Sequence, residues 1–359
     1  MTRYIYIDAG YQEAFIGNAS SEQKATMKSI AKFMSSTETE NEKGVEKKLI
    51  IAGTTKEDYL NYREICQSED TIGDSYGTWM QYIDMILRTE GTDAIKFQEE
   101  QNIDDLRFFD DLLDDSKSTD IDKLKNEFWM SHCLCTLDDT KCKEKEREYG
   151  ISFINVNCDV TQQEPDAKFL VQDKDYHWGR LIGNREGNAF FVLDKYAFNP
   201  DSMLMANIVP IMKKLICTGV ETPITIYTVY DKNQISNLEA RITNELHGIN
   251  NNVTVNALIT GDTFHDRIII ANNIYVTIGG GFDALNDNIY ADGTQKSRKN
   301  TTLHIYSNPA ISSKDWLRNE YFGYINAISK KYDALNQTAI HTGQPALMPN
   351  RLVRPVTEL

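Results

Sequence analysis

From residue 188 onward, short β-branched runs alternate with segments of helical periodicity, and this alternation restricts the fold more than any other feature. Asn188 to Leu193 is an apolar strand that ends in Asp194. Asp201 to Cys217 carries apolar residues at helical spacing, with Asp201 as a candidate N-cap and Pro210 predicting a kink or break. Pro223 to Val229 and Val253 to Ile259 read as strands around an amphipathic helix, Ser236 to His247, whose Leu238, Ile242 and Leu246 share one face. Two close strands follow, Phe264 to Ala271 and Ile274 to Ile278, turned by Asn272-Asn273. A strand at Thr301 to Tyr306 and a helix at Lys314 to Tyr332 complete the pattern. Such a succession packs as layers, so the expected class is α/β (α+β) with a mixed sheet over 181–335 and a tail at 336–359.

The first half reads differently. Tyr4 to Ile7 and Lys48 to Ala52 are short strands, and helices fit Ser21 to Met34, Lys56 to Cys66, Thr78 to Arg88 and Asp104 to Leu113. Glu38 to Lys48 reads as a charged surface loop. The expectation for 1–130 is an acidic, mostly helical domain, joined by a region at 131–180 with short strands at Gly150 to Val156 and Phe169 to Val171. Charge separates the halves. Residues 1–179 hold 21 basic and 37 acidic side chains, net −16, and residues 180–359 hold 17 and 16, net +1, which together give the −15 of the chain. No basic stripe runs through the whole chain, so a polyanion-coating protein is excluded. At 41% apolar it is no disordered acidic tail either. The acidic half is the expected surface for a basic protein partner.

Met1 to Phe15 is mixed in polarity, with Asp8 and Glu13, and does not form a secretory apolar core. No run approaches the roughly 18 apolar residues of a spanning helix. The six cysteines are sparse, and reduced thiols in a cytoplasmic protein are expected. Cys133, Cys135 and Cys142 beside His132 have a spacing unlike structural zinc sites, so buried thiols are the expectation and no metal or cofactor is assigned. The aspartate runs Asp110-Asp111 and Asp114-Asp115 lack a calcium-loop glycine and read as a solvated face.

Chemistry concentrates in Thr263 to Leu285. Alternation puts His265, Arg267 and Ile269 on one face of a strand and Asp266 and Ile268 on the other. The return strand ends in Gly279-Gly280-Gly281, where backbone amides can approach an anion. A histidine and an arginine beside such a loop suit a phosphate, Arg supplying a fork of donors. The bland alternatives stay open: a histidine bonded within a sheet, and three glycines that only turn the chain.

These residues resemble the phospholipase D superfamily motif, H-x-K-x4-D-x6-G-[GS]-x-N. His265 holds the His position, Arg267 stands for the Lys, Asn272 for the Asp, Gly279 and Gly280 follow, and Phe282 stands for the Asn. The phospholipase-D-like domain at the C terminus of MIT-domain proteins and its bacterial relatives is more similar still, through His265-Asp266-Arg267 and Gly279 to Asp283; Asp194-Lys195-Tyr196 resembles a further element of that group. The resemblance covers about 181–310. It implies His265 as nucleophile, Arg267 as phosphate clamp, Asn272 and Asp283 in supporting positions, and Gly279, Gly280 and Gly281 in close backbone approach. Lys296, Arg298 and Lys299 form a basic cluster that suits phosphate contact.

The departures matter for activity. Asn272 cannot orient a histidine as a carboxylate does, Phe282 cannot donate a hydrogen bond, and the chain holds one motif where catalysis needs two histidines. The expected function is therefore a degenerate single-motif protein that binds a phosphate-bearing ligand or a protein partner, in a bacterial defence or stress assembly by the resemblance. Two alternatives follow: a metal-independent phosphodiesterase or nuclease, active on nucleic acid as a homodimer through paired His265 or with His304, and a lipid-headgroup binder.

Overall fold

The structure is a computed structural model, and it describes residues 2–35, 46–68, 75–98, 132–156, 186–194, 201–228, 232–259, 267–279, 303–312, 314–342, 350 and 352. The chain divides into two units. The first comprises Met1–Lys145, Ile151–Gln163 and Ala310–Glu320; the second comprises Glu146–Gly150, Glu164–Pro309 and Tyr321–Leu359.

The first unit is built on five strands, β1 (Thr2–Ile7), β2 (Glu46–Ala52), β3 (Ile95–Gln98), β4 (His132–Cys135) and β5 (Ser152–Asn155). They lie in the order β3-β2-β1-β4-β5 and every pairing is parallel. The helices are α1 (Ala9–Asn18), α2 (Ser21–Ser35), α3 (Lys56–Ser68), α4 (Ser75–Glu90) and α5 (Asp139–Tyr149). A mostly helical unit is the sequence expectation; the structure adds β3 and β4 and makes the sheet the centre. The reason is burial. Ile5 to Ile7 and Leu49 to Ala52 are at most 1% exposed, and strands covered on both faces read as plain apolar runs without alternation. One sheet face carries Ile5, Ile7, Leu49, Ile51 and Leu134 against Phe15, Met27, Ile30, Trp79 and Ile83. Asp8 ends β1 and caps α1, its Oδ1 accepting from the Tyr11 amide at 2.6 Å. Gly53, at φ +75°, closes β2 where a Cβ would lie 2.5 Å from that of Ala9, so glycine lets α1 approach the sheet.

The second unit contains β6 (Phe190–Leu193), α6 (Asp201–Leu215), β7 (Thr222–Thr228), α7 (Lys232–His247), β8 (Val253–Ile259), β9 (Arg267–Ala271), β10 (Ile274–Ile278) and β11 (Leu303–Ser307). The helix α8 (Asp315–His341) gives its first six residues to the first unit and the rest to the second. The strand order is β11-β10-β9-β6-β7-β8. β6, β7 and β8 run parallel, and β9, β10 and β11 are antiparallel to their neighbours. The mixed α/β class expected here is observed. Pro210 lies inside α6 without ending it.

One face of this sheet packs Phe190, Val192, Ile226, Val255, Ile269, Ala271 and Val276 against Ile208, Met212, Leu215, Ile242 and Leu246. Burial of such side chains stabilises by roughly 1.5–3 kcal/mol each relative to exposure. The opposite face is aromatic. Tyr275 stacks on Tyr306 at 6.1 Å and meets Tyr321 edge-on at 6.5 Å, and the Tyr321 hydroxyl donates to the Ala271 carbonyl at 2.7 Å. Among the described residues no helix is long and apolar enough to cross a membrane.

Candidate functional site

Strand direction decides which ends gather. β6, β7, β8 and β10 finish at the same edge of the six-stranded sheet, and β9 and β11 begin there. That edge therefore receives Asp194 after β6, Arg267 at the head of β9, Gly279 after β10 and Leu303-His304 at the head of β11. The carboxyl edge of parallel strands is where open α/β sheets take ligands.

Register then sorts the side chains. Ile268 pairs with Leu193 and Arg267 with Ile278, so Arg267 lies level with Asp194, one step beyond the last β6 pairing. Arg267 alternates with Ile269 and Ala271, and Asp194 with Phe190 and Val192, so both point to the face that carries the aliphatic core. Arg267 Nε lies 3.9 Å from Asp194 Oδ1, with side-chain exposures of 22% and 7%. That separation lies at the limit of an ion pair and is longer than the bonds of a tight Arg–carboxylate fork. The Asp194 amide donates to the Tyr227 carbonyl at 3.3 Å, which fixes the backbone at this point. Gly279 is exposed, one residue beyond the Ile278 that faces Arg267.

Other residues expected at the site are placed elsewhere. His304 pairs with Thr277 and Thr277 with Ile268, which puts His304 on the opposite face of the sheet from Arg267. There its ring lies beside Tyr306, whose hydroxyl is 3.5 Å from Nδ1. Asn272 follows the far end of β9, five residues and about 17 Å along the strand from Arg267. It is 2% exposed. Its Nδ2 donates to the Gly150 carbonyl at 2.7 Å and its Oδ1 accepts from the Asn188 amide at 3.1 Å. The structure thus gives Asn272 a clamping position in the turn and does not bring it to Arg267. Gly150 itself has φ +65°, and a Cβ there would lie 2.7 Å from that of Asn188, so the clamp closes on a spot that only glycine fits. His265, Asp266, Gly280, Gly281, Phe282, Asp283, Lys296, Arg298 and Lys299 lie outside the described residues, as do Lys195-Tyr196, Asp104 to Leu113 with the aspartate runs, and Phe169 to Val171.

The cysteine cluster divides across β4. Ile5 pairs with His132 and Ile7 with Leu134, which sets His132 and Leu134 on one face and Cys133 and Cys135 on the other. Cys135 and Cys142 lie 3.6 Å apart between sulfurs, and all three thiols are buried. Burial pushes the Cys133 thiol well above the ordinary range, and hydrogen bonding with Cys142 followed by burial does the same for Cys135. Among the described residues no group of three or more His, Cys, Asp or Glu side chains is placed to hold a metal ion.

In sequence, Asp194 is the end of an apolar strand and part of an element resembling the family, without a role at the site; the register with β9 makes it a partner of Arg267. No protein-family model matches the chain, and no curated protein sequence matches it.

Proposed function

We propose that the second unit binds a phosphate-bearing ligand at the carboxyl edge of its mixed sheet, with Arg267 as the phosphate contact, and does not turn the ligand over. The observation that carries this reading is the levelling of Arg267 with Asp194 beside exposed Gly279. A guanidinium at a strand edge, next to a glycine that permits close approach, suits an incoming phosphate. The resemblance of His265-Asp266-Arg267 to the phospholipase-D-like motif points to the same ligand chemistry. Binding without turnover is supported by the commitment of Asn272 to its clamp and by the position of His304 across the sheet.

The test uses the full chain and calorimetric titration with inorganic phosphate and with bis(p-nitrophenyl) phosphate. The expected result is binding that weakens at least about tenfold, or 1.4 kcal/mol, in Arg267→Ala, with no release of nitrophenol. Hydrolysis that persists in EDTA and is lost in His265→Ala would replace this reading by the homodimeric phosphodiesterase. Flotation with anionic liposomes that depends on Arg267 would replace it by lipid-headgroup binding.

A further inference from the structure

The first unit holds a cavity of about 610 Å³ between α3, the end of α4 and the edge strand β3. Its charge runs against its surroundings. Residues 51–100 contain four basic side chains, Lys56, Arg63, Arg88 and Lys96, and all four line the cavity. The same stretch contains eleven acidic side chains, of which only Asp84 and Asp93 line it. Within a half of the chain with net charge −16, the residues lining the cavity therefore carry net +2. Sequence order gives no hint of this, because the four cations are spread over forty residues on three elements.

The inner carboxylate is already occupied. Asp84 accepts from the Tyr59 hydroxyl at 3.0 Å and lies 3.2 Å from Arg63 Nε. Burial, with Asp84 beside it, pushes the Tyr59 phenol well above its ordinary range, so Tyr59 remains a neutral donor to that carboxylate. Asp84 thereby positions Arg63 and is partly neutralised toward anything that enters. The remaining wall is apolar. Tyr59 and Phe97 pack with ring centres 5.2 Å apart, Leu87 and Ile95 continue the wall, and Leu60 stands at its edge 44% exposed. A leucine this exposed beside a cation-rich hollow gains by covering.

We propose that this cavity is a nucleotide-binding site, with the phosphates toward Lys56, Arg63, Arg88 and Lys96 and the base against Leu60 and the Tyr59–Phe97 wall. The volume falls in the range of small-molecule pockets, a few hundred to about 1,000 Å³. The combination of an apolar, partly aromatic wall with clustered cations suits a ligand with an aromatic ring and several anionic groups, and nucleotides are a chemical class with both. The same chemistry is presented by a free nucleotide and by the end of a strand. This site is independent of the Arg267 edge.

The experiment is calorimetric titration of the full chain at low salt with ATP, adenosine, inorganic triphosphate and a short oligothymidylate. Expected is binding of ATP that is at least about tenfold tighter than that of adenosine or triphosphate, and a loss of at least about tenfold in the double variant Lys56→Glu/Arg88→Glu. Both residues are exposed, so the double variant retains its core. Leu60→Ser, at another exposed position, weakens ATP but leaves triphosphate unchanged if the base lies on the apolar wall. Oligothymidylate binding at least about tenfold tighter than ATP, and lost in the same variants, identifies a strand as the source of the nucleotide. The proposal is overturned if neither ATP nor the oligonucleotide binds, or if triphosphate binds as tightly as ATP. It also fails if ATP binding survives the double variant undiminished while being lost in Arg267→Ala.

Discussion

Replacing Asn272 by aspartate rebuilds the carboxylate of the motif that His265 and Arg267 resemble, yet the structure makes it a damaging change. The Asn272 side chain donates to the Gly150 carbonyl and accepts from the Asn188 amide at a position 2% exposed. An ionised aspartate keeps the bond from Asn188 and turns the other into a contact between a carboxylate and a carbonyl. Losing that bond with its acceptor left buried costs roughly 1–3 kcal/mol. Holding an unpaired carboxylate there raises the expected cost to about 3–5 kcal/mol at pH 7.5. The pH dependence has a definite sign. Burial raises the folded-state pKa of the new carboxyl above its unfolded value, so the cost is smallest below about pH 4, where both states are protonated. It grows as pH rises from there through the folded-state pKa. A protonated aspartate can also donate to Gly150 and recover part of the bond. Urea unfolding of Asn272→Asp and Asn272→Ala beside the parent, at pH 4.5 and 7.5, measures this through the midpoints. Asn272→Ala should cost about 2–4 kcal/mol at both pH values, for two buried groups left unmet. If Asn272→Asp is as stable as the parent at pH 7.5, or gains phosphodiester hydrolysis, the clamp is the wrong account of this residue.

Two further outcomes follow from buried acids of the second unit. Asp194→Asn removes the carboxylate that competes for Arg267 and should tighten phosphate binding by about threefold to tenfold, read by the same titration; weaker binding would mean that Asp194 is needed to hold the guanidinium in place. Glu186 is 8% exposed and burial raises its carboxyl pKa, so its destabilising effect is absent below the unfolded value of 4.5 and accumulates as pH rises. Glu186→Gln should gain up to about 1 kcal/mol at pH 7.5, a gain that vanishes below about pH 4; a variant less stable at every pH would show that the carboxylate makes a favourable contact.

The second unit was the more legible in sequence. The strands at Pro223 to Val229 and Val253 to Ile259 appear within a residue of the expected places, because runs of β-branched and apolar residues, interrupted only by Asn256 in the second, leave few alternatives. β3 and β4 escaped notice, since Ile-Lys-Phe-Gln and His-Cys-Leu-Cys are too short to show a period and the latter drew attention for its thiols. Alternation correctly set Arg267 and Ile269 on one face of β9 and Ile268 on the other. Linear spacing misled at Asn272, because a motif counts residues, whereas an extended strand carries five of them to the other end of the sheet. The cavity of the first unit had no linear signature at all. Lys56 and Lys96 are ordinary surface cations until α3 and β3 are placed side by side.

The discontinuity of the first unit has a consequence for biosynthesis. All five strands of its sheet have been synthesised once Asn155 is added, yet Ile311, 1% exposed in the same core, is made more than 150 residues later. The Ser29 hydroxyl donates to the Ile311 carbonyl at 2.7 Å across 282 residues of chain. Closing a loop of that length costs about 5 kcal/mol in entropy by length alone, so the contact cannot nucleate folding and forms late. The nascent first unit waits with an unfilled position in its core while the entire second sheet is translated. Vectorial synthesis therefore delays completion of the first unit until its last segment, Ala310–Glu320, has been made, although its sheet could assemble far earlier.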